Sequence, residues 1–216
     1  VDLEQINKFL NDLYYPLYFL DFETFTQTVP EWDDLRPYQK IPFQYSIHYI
    51  ERGGEDTVHL EFLAEENSDP RKNITDRLVG DIPKGACVLV YNCSFEKGVI
   101  QGLAKQFPDY SDHLMNIHDN VMDLMVPFQK KHYYKKEMKG RYSIKVVLPA
   151  LTRDSPYSNM GINEGMEASN NYKKLASITD SLTREKIKED LKVYCKQDTQ
   201  SMVDVLECLK AVVLKI

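Results

Sequence analysis

The sequence is poor in the residues that most often announce a metal or redox site. Its four cysteines, Cys87, Cys93, Cys195 and Cys208, include no CxxC pair. That spacing argues against structural zinc and for free thiols in a reducing compartment, so a cytoplasmic location is expected. The histidines at 48, 59, 113, 118 and 132 show no ligand spacing either. No apolar run approaches the roughly 18 residues that a membrane span requires. No basic segment with an apolar core opens the chain, so no signal peptide is expected. A Ser/His/Asp arrangement and a glycine-rich phosphate loop are both missing. Positive charge is also in deficit, with a formal net charge of −6. A protein that holds nucleic acid by electrostatics alone is usually basic. An acidic chain keeps that option only if bound cations change the charge of the site.

What is present fits one α/β domain over residues 1–216, with 43% hydrophobic and 28% charged residues. Residues 2–13 read as a short amphipathic helix. LYFLDFETF (17–25) reads as a strand buried on both faces. Residues 26–40 read as a loop. Phe43, Tyr45, Ile47 and Tyr49 alternate with polar neighbours, Gly53-Gly54 follows, and Val58, Leu60 and Phe62 alternate again. That pattern predicts a hairpin, and with the first strand an antiparallel meander. A helix over 70–80, a short strand over 86–91 and a helix over 92–106 come next. Further helices are expected over 110–117, 144–151, 163–174 and 183–212. This order fits a mixed sheet flanked by helices.

The acids carry the chemistry. Asp21 and Glu23 stand two apart in the first strand, so both point to one face. Two carboxylates side by side repel each other, and burial disfavours their charge, which a divalent cation would relieve. The competing account ends the strand at Leu20 and leaves both acids in a solvated loop. In the last helix the apolar stripe runs Ile187, Leu191, Tyr194, then Met202, Val205, Leu209 and Val212. Asp198 fills its one gap and therefore occupies a core-facing position. A buried carboxylate needs a metal, a cationic partner or several donors; an ordinary ion pair is the competing account. Glu96 falls in the first turn after a strand, where the helix dipole alone would favour an acid.

Together these stretches resemble the DEDD superfamily of 3′–5′ exonucleases. The matching segments are Asp21-Phe22-Glu23-Thr24, Asn92-Cys93-Ser94-Phe95-Glu96 and Tyr194-Cys195-Lys196-Gln197-Asp198. The last is a YxxxD pattern, similar to the tyrosine branch. Glu96 stands where that superfamily usually has Asp, which moves the carboxylate by one methylene. Over nearly the whole chain, YPLYFLDFET, RPYQKIPFQYSIH, LVYNCSFEK, YSIKVVLPAL and YCKQDTQSMV resemble the bacterial family called domain of unknown function 2779. Members often carry this region at the C-terminal end of a longer protein, sometimes after a segment resembling a second nuclease type. With Val1 as first residue, such an arrangement is expected here.

The resemblance implies a ribonuclease H-like fold with a five-stranded sheet, a meander followed by parallel strands. It implies a metal-dependent 3′–5′ exonuclease on single-stranded DNA or RNA. A binding module without turnover and an endonuclease on the same fold are the alternatives. Two Mg²⁺ or Mn²⁺ ions are expected, since both prefer oxygen ligands. Asp21 would bridge them, and Glu23, Asp198 and Glu96 would ligate directly or through water. Tyr194, one helical turn before Asp198, would orient the attacking water, or else is a core aromatic. Thr24, Asn92 and Phe95, within those motifs, are expected at the substrate. Lys145 would reach a phosphate, or is an exposed helix lysine. Asp123 is a further acid or a helix cap. Trp32, Arg36, Tyr38 and Gln44 would position a terminal nucleotide, or pack the loop. Residues 129–142 carry Lys130, Lys131, Lys135, Lys136, Lys139 and Arg141 against Glu137, with Tyr133, Tyr134 and Tyr142 between them. This segment is expected either to track a strand by phosphate contact and base stacking or to be a solvated surface loop.

Overall fold

The computed structural model describes residues 1–214, apart from the side chain of Asn159, so the single-domain reading over 1–216 extends two residues beyond them. The chain opens with α1 (Leu3–Asn11), capped by Asp2, whose carboxylate accepts from the Gln5 N–H. Three strands follow: β1 (Leu17–Phe25), β2 (Ile41–Ile50) and β3 (Val58–Leu63). Next come α2 (Pro70–Asp81), β4 (Cys87–Val90), α3 (Cys93–Gln106), α4 (Ser111–Asp119) and β5 (Val121–Asp123). The C-terminal half holds α5 (Val126–Gln129), α6 (Ile144–Thr152), α7 (Gly165–Leu175) and α8 (Ser181–Leu214). The fold is α/β, with a five-stranded mixed sheet flanked by helices.

The strands lie in the order β3-β2-β1-β4-β5. The first three form the expected antiparallel meander, and β4 and β5 run parallel to β1. β1 is central, and this explains its near-continuous apolar run. Leu17, Phe19 and Phe25 point to one face and join Leu191, Tyr194 and Met202 of α8 in one core. Tyr18, Leu20 and Phe22 point to the other and meet Leu78 of α2, Ile100 of α3 and Leu114 of α4. Each such buried side chain contributes about 1.5–3 kcal/mol of transfer free energy. Asp21 and Glu23 share the parity of Phe19, which turns them towards α8.

Two short elements escape a reading by periodicity. β5 has three residues and α5 has four, too few for either period to show. The capping account of Asp123 holds. Its carboxylate, at the end of β5, accepts from the N–H groups of Asn92, Cys93 and Met125 at 2.9–3.0 Å. It thereby satisfies orphan donors where α3 begins, and Asn92, with φ of 85°, supplies no side-chain cap of its own. None of the helices described is long and apolar enough to cross a membrane. All four cysteines are free.

Candidate metal centre

The pairing of β1 with β4 runs from Leu17↔Cys87 to Phe19↔Leu89 and goes no further. Beyond it β1 continues while the chain after β4 turns away into α3. The strands part at Asp21, at the C-terminal ends where open α/β sheets leave a crevice. A cavity of about 260 Å³ occupies this place, lined by Asp21, Glu23, Tyr91, Phe95, Lys145, Gly165, Tyr194 and Asp198 among others. The expected convergence of the strand acids and the helix acid is present. Asp21, Glu23 and Asp198 each offer a carboxylate oxygen, and these atoms lie within 4.8 Å of one another. Glu23 and Asp198 are buried and Asp21 is partly exposed. The solvated-loop account of Asp21 and Glu23 is excluded, because β1 runs on to Phe25. The ion-pair account of Asp198 fails too, since none of the three acids forms a salt bridge among the described residues.

Three carboxylates this close and this poorly hydrated do not ionise together without a cation. At 4.8 Å, each ionised pair repels by on the order of 3–4 kcal/mol in a medium of effective dielectric near 20. Burial, followed by the Asp198 and Glu23 charges, pushes the Asp21 carboxyl well above the usual range. Burial and the Asp198 charge do the same to Glu23. Burial raises Asp198 to about 6, against the pull of its Tyr157 hydrogen bond and of Lys145. The all-oxygen donor set, the excess of negative charge and the single nearby lysine fit a hard divalent cation such as Mg²⁺ or Mn²⁺.

Tyrosines and Lys145 close the cavity around Asp198. The Tyr157 hydroxyl donates to Asp198 Oδ1 at 2.7 Å and stands 2.9 Å from Ser201 Oγ. Lys145, in the first turn of α6, donates to the Tyr194 hydroxyl at 2.9 Å and to the Asn163 carbonyl. Its ammonium also lies 4.8 Å from the Tyr194 ring centroid and 5.0 Å from that of Tyr157. Burial and the neighbouring acids push the Tyr194 phenol far up, so it stays protonated. Cys195, 3.9 Å from Asp21 Oδ2, is likewise held as a neutral thiol by burial. A Cβ at Gly165 would stand 3.5 Å from Glu23 Oε2, so the N-terminus of α7 approaches that carboxylate, the favourable end of its dipole.

Other expected site residues are dispersed. Glu96 is buried in the first turn of α3 and lies outside the group of three. Its Oε2 has no hydrogen-bond partner. Burial, then the charge of Asp123, lifts it to about 8 against a backbone hydrogen bond and Lys40. Phe95 lines the cavity, whereas Thr24 and Asn92 do not. Three expectations need correction. Trp32 packs edge-on against Phe25, with ring centroids 6.2 Å apart, and does not line the acidic cavity. Gln44 is buried and donates to the Leu191 carbonyl at 2.9 Å, tying β2 to α8. Tyr133 is a core residue against Phe128 and offers no face to a base. Lys130, Lys131 and Tyr134 are exposed but line neither this cavity nor a second, larger groove between the loop after β1 and α3. The Tyr134 hydroxyl accepts from Gly140 N–H, and Lys135 donates to the Ala150 carbonyl. Tyr38 and Arg36 line that neighbouring groove. Tyr157 and Gly165 are not legible in the sequence, because neither belongs to a periodic pattern shared with the acids.

Fold and site define an α/β domain with a three-carboxylate pocket beside its central strand. The chain belongs to the family described as Domain of unknown function (DUF2779), whose model matches residues 18–143. The match contains Asp21, Glu23 and Glu96 and ends before Lys145, Tyr194 and Asp198. The chain is also 25% identical, over 219 aligned positions, to an uncharacterized protein of Ureaplasma parvum serovar 3. That alignment covers 90% of this chain but 31% of the relative, so the chain spans about a third of that protein's length. No solved structure matches.

Proposed function

We propose that this chain is a ribonuclease H-like, divalent-metal-dependent nuclease domain that removes nucleotides from the 3′ end of single-stranded DNA or RNA. The observation that carries the reading is the convergence of Asp21, Glu23 and Asp198 within 4.8 Å. The strand order, with an antiparallel meander leading into two parallel strands, is compatible with that fold. Asp21, Glu23 and Asp198 would hold Mg²⁺ or Mn²⁺, with Glu96 as the fourth carboxylate of a second ion. Such ions polarise a phosphodiester and make water nucleophilic at neutral pH.

The chain's own residues supply position. Lys145 offers positive charge to a phosphate in the cavity and fixes the Tyr194 hydroxyl. Tyr194, kept as a neutral phenol, orients a water by hydrogen bonding rather than taking its proton. Tyr157 fixes the carboxylate of Asp198 and supports its ionised form. In a longer protein this domain would stand beside a second nuclease-like segment. Shortening of a 5′-labelled oligonucleotide with Mn²⁺ or Mg²⁺, compared with a circular strand, tests the reading. Stepwise products from the linear strand, an intact circle and no reaction in chelator are expected. Cutting of the circle would make the domain an endonuclease, and an untouched linear strand would remove catalysis. The position of Glu96 outside the group of three favours a second reading, a nucleic-acid-binding module with little turnover.

A further inference from the structure

A second and larger cavity, about 790 Å³, runs beside the acids between the loop after β1 and the outer face of α3. Phe95 lines both cavities, so the groove opens beside the carboxylates. Its lining reverses the charge of the chain. Arg36, Lys40, Arg71 and Lys105 face it with Asp34 as the only acid, in a protein whose formal charge is −6. Lys40 sits 4.1 Å from the centroid of the Phe95 ring, at the junction with the acidic cavity. Arg71 is 3% exposed. Its Nε and Nη2 pair with Asp69 and Nη2 also donates to the Asp33 carbonyl, but Nη1 has no hydrogen-bond partner.

The floor of the groove carries Gly98 and Gly102, one helical turn apart on α3. Neither has positive φ, and a Cβ added at either would meet nothing within 4 Å. Neither backbone geometry nor packing requires glycine there, and each destabilises the helix by about 1 kcal/mol relative to alanine. What two bare positions provide is close approach of another chain to the helix.

Resting on the nuclease reading above, we propose that this groove holds the single strand of nucleic acid whose end enters the acidic cavity. Its phosphates lie against Arg36, Lys40 and Lys105, its backbone crosses Gly98 and Gly102, and Phe95 stands where the last nucleotides pass to the carboxylates. Cations that follow phosphates, with an aromatic ring for a base, are the chemistry of single-strand tracks.

Binding of fluorescein-labelled oligothymidylate and oligouridylate, read by anisotropy in chelator, tests the groove without any turnover. The variants are Gly98→Glu with Gly102→Glu, and Arg36→Ala with Lys40→Ala. Both should raise Kd about tenfold or more. The second should also flatten the log–log salt slope by roughly 0.7 for each phosphate it no longer neutralises. The double glutamate variant should melt no lower than the unaltered chain, since Glu is the better helix former. If turnover exists, the ratio of kcat/KM on a long strand to that on a dinucleotide should fall with it. Unchanged affinity in folded variants overturns the groove, as does an unaltered chain that binds neither strand. Binding that depends on the groove without metal-dependent cleavage would instead leave the groove standing and defeat the nuclease reading.

Discussion

The Tyr157 hydroxyl donates to Asp198 Oδ1 at 2.7 Å, joining a short 3₁₀ turn to the middle of α8. That bond favours the ionised carboxylate and opposes the burial that lifts it to about 6. Tyr157→Phe should therefore raise Asp198 further and make protons better competitors for the metal. Mn²⁺ affinity, measured by titration calorimetry, should fall several-fold, with a larger loss near pH 6 than near pH 8. An equal loss at both would mean that Tyr157 acts through packing alone.

The metal-free protein should lose stability as pH rises. Asp21, Glu23, Asp198 and Glu96 all hold protons more tightly folded than unfolded. The native state then binds more protons between the unfolded carboxylate range, about 4, and the raised native values, so unfolding becomes easier across that window. For Asp198 and Glu96 the window closes at about 6 and about 8. Thermal midpoints in chelator should decline from about pH 5 to about pH 8, and saturating Mn²⁺ should restore most at the alkaline end. A flat profile in chelator would count against a strained acidic cluster.

Asp21→Asn should separate stability from activity. The amide replaces a carboxyl that burial and the neighbouring acids hold well above its usual range, so the metal-free protein should melt a few degrees higher at neutral pH, about 1 kcal/mol. Cleavage of a labelled oligonucleotide should drop to background. Retained cleavage would move the metal centre elsewhere.

The sequence displays whatever has a period. β1 is legible as a strand because it is apolar on both faces, although an end at Leu20 stays open until the structure carries it to Phe25, and Asp198 is legible because it interrupts a stripe that otherwise repeats every three or four residues along α8. What decides the remaining site is tertiary. Tyr157 reaches Asp198 across 41 residues, and nothing local marks it. Tyr133 belongs to the core and Trp32 packs against it, half-buried, although each sits in a polar stretch, because an aromatic in a loop is placed by the surface it finds. The charges and tyrosines of residues 129–142 leave a strand contact and a solvated surface loop both readable, and only the structure shows that Lys135 is bound to a helix carbonyl and that the positive groove is assembled from Arg36, Lys40, Arg71 and Lys105, spread over the chain.

That difference is itself measurable. Lys130→Ala with Lys131→Ala removes two exposed charges from residues lining neither cavity. Affinity for a single strand should fall less than in Arg36→Ala with Lys40→Ala at the same salt. A larger fall would return the strand contact to residues 129–142.

Glu96 separates one metal site from two. It is buried, its Oε2 is unpartnered, and its pKa, raised to about 8, leaves much of it protonated at neutral pH. Glutamine reproduces that neutral form, so Glu96→Gln should fold normally, and its stability advantage over the natural protein should grow as pH rises from about 4.5 to about 8 and level off above. The three acids stand together without it, so the tighter class of Mn²⁺ binding should keep its affinity within about twofold. The weaker class, which needs a fourth carboxylate, should disappear, and cleavage should fall with it, because in a two-ion site the pair stabilises the attacking and the leaving oxygen together. Electron paramagnetic resonance titration of free Mn²⁺, run beside an oligonucleotide assay, resolves the two classes. Loss of the tighter class would make Glu96 a ligand of the first ion. Loss of neither class, with cleavage intact, would confine Glu96 to the start of α3.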